Sequence, residues 1–142
     1  MTVSQSALEL QTDFKAASIK DRLNLLLEFS EALPELPARY AEHPDLLERV
    51  EECQSPIYLF VELNGDRVNL FFTAPPEAPT TRGFAGILLE LLNGEPAQDV
   101  LNVDDDFADT LGLAEAVSPL RLRGMRAMLY RIKRQIREKS GH

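Results

Sequence analysis

The residue best suited to chemistry in this sequence is Cys53, the only cysteine among 142 residues. Its thiolate is an intrinsically strong nucleophile, and a single cysteine forbids a disulfide within the chain. Cys53, His43 and His142 are too few and too scattered for a structural zinc site. No phosphate-binding or dinucleotide glycine motif is present either. We therefore expect thiol chemistry and no metal or cofactor held by this chain.

Cys53 lies in the segment Val50-Glu51-Glu52-Cys53-Gln54-Ser55-Pro56, directly before the first predicted strand. Proline fixes its own φ and disfavours the helical region for the residue before it, which predicts a defined loop. Two interpretations stay open at this point. The cysteine is either a reactive group presented on a loop or a small buried hydrophobic residue, as many lone cysteines are.

The charges beside the cysteine disfavour a thiolate. Glu51 and Glu52 precede the thiol, and negative charge nearby favours the neutral form. Arg49, or a basic residue from the last helix, would have to offset them. A thiol that stays protonated until a partner arrives would suit a carrier better than an independent nucleophile.

A second candidate site is the acidic run Asp104-Asp105-Asp106. It lacks the spaced oxygen ligands and the glycine of a calcium loop. Aspartate is favoured at helix N-termini, so we expect these residues to cap a short helix over 107–111.

Composition predicts one soluble domain over residues 1–142. The chain is 44% hydrophobic and 27% charged, which is ordinary for a globular protein. Residues 1–13 do not resemble a secretory signal, and apolar runs are far shorter than the ~20 residues that span a bilayer. A cytoplasmic protein without membrane contact is the expectation.

Charge is divided unevenly along the chain. Residues 1–117 hold 7 Lys or Arg and 22 Asp or Glu, a net charge of −15, whereas residues 118–142 carry +7. An acidic body disfavours nucleic acid as a partner, because phosphates attract basic surfaces. The basic end is either a solvated helix face against the acidic body or a partner-docking surface.

Hydrophobic periodicity predicts an α+β fold: a small antiparallel sheet, with helices before and after it in the sequence. Helices are expected from Ser18 to Leu33, from Thr81 to Leu92 and after Ser118, and Gly83 and Gly86 are expected to pack closely against the sheet. Strand-like runs on both sides of Asn64-Gly65 predict a hairpin. The last helix has an apolar stripe of Leu122, Met125, Met128, Leu129, Ile132 and Ile136.

Four short motifs are spread over about residues 20–137. The first, Cys53-Gln54-Ser55, resembles the Gly-Cys-Gln-Ser motif of the SufE family of sulfur-acceptor proteins. The others occur in the same order: Leu33-Pro34-Glu35-Leu36, Arg82-Gly83 at a helix start, and Ser118-Pro119-Leu120-Arg121 leading to Gly124-Met125. Glu52 stands where the family has glycine, Pro56 follows the motif, and Leu120 replaces a serine.

The resemblance implies a fold like those of SufE and IscU proteins, and a role in iron–sulfur cluster assembly. Cys53 would accept persulfide sulfur from a SufS-like, pyridoxal-phosphate-dependent cysteine desulfurase, stimulate it, and pass the sulfur to a cluster scaffold. Gln54, Ser55 and Arg121 would contact the desulfurase, which keeps the pyridoxal cofactor. The family fold also implies a short third strand within residues 48–51.

Two alternatives stay open. The chain would be a desulfurase-binding adaptor that carries no sulfur if the Glu52 and Pro56 substitutions had disabled the loop. It would be a redox sensor if Cys53 formed disulfides with another molecule.

Overall fold

The computed structural model describes residues 2–141, which form six α-helices and three strands. The helices are α1 Val3–Ala16, α2 Ile19–Ala32, α3 Ala38–Ala41, α4 Pro79–Leu92, α5 Ala97–Leu101 and α6 Pro119–Ser140. The strands are β1 Glu48–Arg49, β2 Tyr58–Asn64 and β3 Arg67–Thr73. Short 3₁₀ helices occupy Pro44–Leu46, Phe107–Leu111 and Leu113–Glu115. No helix in residues 2–141 combines the length and apolarity needed to cross a membrane.

The strands form one antiparallel sheet in the order β1-β2-β3, which confirms the predicted α+β class. The β2–β3 register runs from Tyr58 opposite Thr73 to Asn64 opposite Arg67. Gly65 is therefore the first of two central turn residues, and its φ of 62° is a conformation that glycine adopts readily. The third strand, β1, has only two residues.

Helix α4 packs on α2, and two glycines allow the close approach. A Cβ atom added to Gly83 would lie 2.2 Å from the Leu26 carbonyl oxygen, and one at Gly86 would lie 2.4 Å from that of Phe29. The expectation that these glycines face the sheet was wrong, because they face the backbone of α2. Helix α4 also begins at Pro79 rather than Thr81, since proline is well suited to the first helical position.

Helix α6 buries the predicted apolar stripe against the sheet and α4. Each of the six stripe residues is at most 7% exposed. Ser118 caps it by accepting a hydrogen bond from the Arg121 backbone N–H at 3.3 Å. This long helix is the element that brings its side chains to the cysteine.

The acidic run at residues 104–106 does not cap the following helix, contrary to the expectation. Asp106 precedes the 3₁₀ helix Phe107–Leu111 without a side-chain capping bond. Asp105 instead accepts a 2.7 Å hydrogen bond from Lys133, which is buried and also donates to the Val103 carbonyl. A buried ammonium needs such a partner, and this need decides the role of Asp105.

Candidate functional site

Cys53 lies on the cysteine loop, residues 50–56, between β1 and β2. Hydrogen bonds fix its base: the Val50 N–H donates to the Ile57 carbonyl at 2.9 Å, and the Cys53 N–H donates to the Val50 carbonyl at 3.1 Å. Val50 and Ile57 are fully buried. The loop is therefore an ordered projection from the sheet with the cysteine near its tip.

The Cys53 side chain points inward and is only 6% exposed. It lies against Gly124 of α6, where an added Cβ atom would come within 2.7 Å of the Cys53 Sγ. Sequence reasoning placed Gly124 in a family motif without assigning it to the site. A glycine inside a long helix costs stability, and that cost was the available signal that something packs against it.

A small pocket of about 50 Å³ opens beside the thiol. The structure brings to it all four predicted site residues, Cys53, Gln54, Ser55 and Arg121. The remaining lining residues are Glu77, Ala78, Thr81, Leu120 and Gly124. A cavity needs only ~10–15 Å³ of solvent-accessible volume to hold one water molecule. The pocket therefore has room for a small group bonded to the thiol.

Arg121 is exposed at the rim of this pocket. Its Nη1 donates to the Thr80 hydroxyl at 3.0 Å, which links the first turn of α6 to the first turn of α4. The first turn of a helix is an unfavourable place for a positive charge. The hydrogen bond to Thr80 orients the side chain there but does not neutralise it.

Burial above all, with the charge of the Glu52 carboxylate adding to it and Arg131 opposing it, raises the pKa of the Cys53 thiol to about 11. At neutral pH this leaves roughly one thiolate in ten thousand molecules. In this conformation the buried thiol is neutral at that pH.

The structure shows which basic residue of the last helix lies beside the carboxylates next to Cys53: it is Arg131. Its Nη1 lies 2.7 Å from Glu52 Oε1, and its Nε lies 3.1 Å from Glu48 Oε2. The Arg131 guanidinium holds the pKa of Glu52 below its usual range. Arg49, the other candidate, lies 4.0 Å from Glu51 at the surface. Sequence reasoning could not select Arg131 from the eight basic residues after position 117.

No group of three or more metal-ligating side chains occurs within the described part of the chain. His43 is exposed before a 3₁₀ helix, and His142 lies outside the described residues.

Comparison with known proteins points to one family. The sequence model of the SufE family, described as an Fe-S metabolism associated domain, matches residues 8–136. A SufE-like protein of Mycobacterium tuberculosis is 54% identical over 131 residues, which is 92% of this chain and 90% of that protein. The cysteine desulfuration protein SufE of Plasmodium vivax is 27% identical over 79% of this chain and 51% of its own length.

The fold agrees as well. The solution structure of a Thermus thermophilus protein matches with a TM-score of 0.82 and 39% identity, over 100% of both chains. The family match covers nearly the whole chain, including the cysteine loop and most of α6. The chain belongs to the SufE family.

Proposed function

We propose that this protein is a sulfur acceptor that takes persulfide sulfur from a cysteine desulfurase onto Cys53 and passes it on for iron–sulfur cluster assembly. The observation that carries the proposal is the buried position of the Cys53 side chain against Gly124, which we call its seat. There the only thiol of a SufE-family chain lies near a loop tip, beside a pocket of about 50 Å³. The family's association with Fe-S metabolism, and the name of the Plasmodium relative, support sulfur transfer as the activity.

The transfer is an exchange at sulfur. The Cys53 thiolate attacks the outer sulfur of the desulfurase persulfide, a new S–S bond forms on Cys53, and the old S–S bond breaks. The desulfurase cysteine leaves as a thiolate and takes up the proton that Cys53 has lost. No net oxidation occurs, and the pyridoxal phosphate remains with the desulfurase.

A buried, neutral thiol suits such a carrier. Before transfer the thiol is sheltered from oxidants, and after transfer the pocket would shelter the outer sulfur from reductants. The partner must therefore draw the cysteine loop outward, and Gln54, Ser55 and Arg121 at the pocket are positioned to contact it. A single free thiol also suits a reducing compartment such as the cytoplasm, where we propose that the protein works.

The test is the intact mass of the protein after incubation with a cognate desulfurase and cysteine. We expect a gain of one sulfur atom on the parent protein that a reductant removes. Cys53→Ser should gain none and should lose desulfurase stimulation while it still binds the partner, because a hydroxyl cannot hold a persulfide. A Cys53→Ser variant that stimulates like the parent would refute the carrier function.

A second candidate, a desulfurase-binding adaptor that carries no sulfur, is favoured by one observation. Cys53 is almost fully buried, and the adjacent Glu52 is fastened to α6. An adaptor would bind and stimulate the desulfurase without any mass gain on Cys53, so the same experiment separates the two functions.

A further inference from the structure

The feature that the sulfur chemistry leaves unexplained is the ion pair between Glu52 and Arg131. Their closest atoms are 2.7 Å apart, and the Arg131 side chain is only 12% exposed. The pair ties the residue next to the cysteine to the middle of α6. Glu51, the other carboxylate of the loop, has a side chain that is 75% exposed and lies 4.0 Å from Arg49.

The Glu52–Arg131 ion pair is close but poorly aligned. Glu52 Oε1 and the Arg131 nitrogens Nε and Nη1 are buried, yet they make no well-aligned hydrogen bond within the described residues. Buried ion pairs repay their lost hydration only when geometry is good and the remaining donors are satisfied. This pair therefore holds the loop while resisting its release less than an aligned pair would.

Arg131 itself is anchored independently of Glu52. Its Nε lies 3.1 Å from Glu48 Oε2 on β1, and Glu48 is also held by Arg134 and by Gln135, the latter at 2.9 Å. An outward movement of the loop would therefore separate Glu52 from Arg131, which Glu48 would keep on α6.

We propose that Arg131 is the positioning residue of the cysteine loop: through Glu52 it holds Cys53 in its sheltered seat, and sulfur loading requires this pair to open. The inference rests on the proposed function for its biological meaning. Its structural content, that one ion pair controls exposure of the thiol, is measurable without a desulfurase.

The first measurement is the alkylation rate of Cys53 by iodoacetamide in the full chain at slightly alkaline pH. Glu52→Gln should react several-fold faster, because it unpairs the loop and removes a charge that opposes the thiolate. Glu51→Gln is the matched control, with the same change at the neighbouring exposed position, and it should react at nearly the parent rate. Equal rates for Glu52→Gln and the parent, or equal acceleration by Glu51→Gln, would overturn the proposal.

A double-mutant cycle assigns the effect to Arg131. In an Arg131→Gln background, Glu52→Gln should accelerate alkylation clearly less than it does in the parent, because the pair is already absent and only the loss of the charge beside the thiol remains. An undiminished acceleration there would overturn the role of Arg131. Should Arg131→Gln fail to fold, Arg131→Met, which keeps an unbranched apolar side chain in the same place, takes its position in the cycle: a reduced acceleration by Glu52→Gln in that background supports the proposal, and an undiminished one overturns it.

Hydrogen exchange at the Cys53 amide reports the loop position directly, since this N–H is bonded to the Val50 carbonyl. Glu52→Gln should exchange faster at that amide, whereas Glu51→Gln should not, and exchange in core strand β2 should stay unchanged in both. Unchanged exchange at Cys53 in Glu52→Gln would overturn the holding role.

Sulfur loading then distinguishes this inference from the proposed function. With a desulfurase and cysteine, Glu52→Gln should gain its sulfur at a lower desulfurase concentration than the parent. If the parent gains no sulfur at all, the carrier function fails, while the alkylation and exchange results still decide whether Arg131 positions the loop. If the parent gains sulfur and Glu52→Gln gains it no more readily, the pair is not a barrier to loading.

Discussion

At the scale of single residues, the contact between Cys53 and Gly124 decides whether the thiol can be sheltered. The seat exists only because position 124 has no side chain, since a Cβ atom there would be 2.7 Å from the sulfur. The loop provides the sulfur atom and α6 provides the space for it. The site therefore depends on a glycine as much as on the cysteine.

Gly124→Ala should push Cys53 out of its seat and raise its alkylation rate several-fold. The helix itself gains about 1 kcal/mol from alanine over glycine, which offsets part of the lost packing, so the protein should still fold. Alkylation of the native protein, with far-UV circular dichroism as a check, measures the effect. Gly86→Ala is the control, because it crowds a helix contact away from the loop and should leave alkylation near the parent rate. Parent-like alkylation in Gly124→Ala would mean that the seat is not built on this contact.

At the scale of elements, α6 contributes residues both to the core and to the site. Arg121, Gly124 and Arg131 are spaced by three and seven residues and so lie on one side of the helix, directly beside the buried apolar stripe. Strands β1 and β2 present the cysteine loop to that side. Packing of α6 on the sheet therefore assembles the site.

The close packing of α2 on α4 stabilises the core on which α6 packs. Gly83→Ala should lower the free energy of unfolding by about 1–3 kcal/mol, because a methyl group would overlap the Leu26 backbone of α2. Urea denaturation measures the change, and Glu90→Ala, at an exposed position of the same helix, should lie within about 0.5 kcal/mol of the parent. A Gly83→Ala variant as stable as the parent would show that the helices separate without cost.

At the scale of the whole molecule, the basic helix α6 forms ion pairs with acidic residues of the rest of the chain. Arg131 and Arg134 pair with Glu48, Lys133 with Asp105, and Arg126 with Asp109. One continuous cluster of buried residues extends from α1 to α6, which supports our proposal that residues 1–142 form one domain. Much of the basic charge of α6 thus serves the fold.

Arg121 differs from those residues. Its one side-chain hydrogen bond is to a neutral hydroxyl, and no carboxylate among residues 2–141 lies within ion-pair distance of it. It lies at the rim of the pocket beside Cys53. This uncompensated charge is the part of α6 that we propose for docking.

Arg121→Ala should lower desulfurase stimulation at low partner concentration and leave the melting temperature nearly unchanged. The difference in stimulation between Arg121→Ala and the parent should shrink as salt is added, because salt screens the exposed charge contact that only the parent can make. Arg137→Ala removes the same charge from an exposed position near the end of α6 and should stimulate like the parent. Full stimulation by Arg121→Ala at low salt would remove Arg121 from the docking surface.

The sequence by itself determined the elements, because their signals are local. The glycine turn after Asn64, the cap at Ser118 and the apolar stripe of α6 each depend on residues a few positions apart, and each was confirmed. Family resemblance added the order of the motifs around Cys53. Position and type of the cysteine pointed to thiol chemistry before any packing was known.

Only the tertiary structure decided what each residue touches. The inward orientation of Cys53, its seat on Gly124, the choice of Arg131 over Arg49 as the partner of Glu52, and the contact of Gly83 with α2 all join segments far apart in the chain. Such contacts depend on how α6 and α2 dock on the sheet and on α4, which local periodicity does not encode. The thiol is neutral for the same reason: burial, which sets its pKa, is a property of the packed fold.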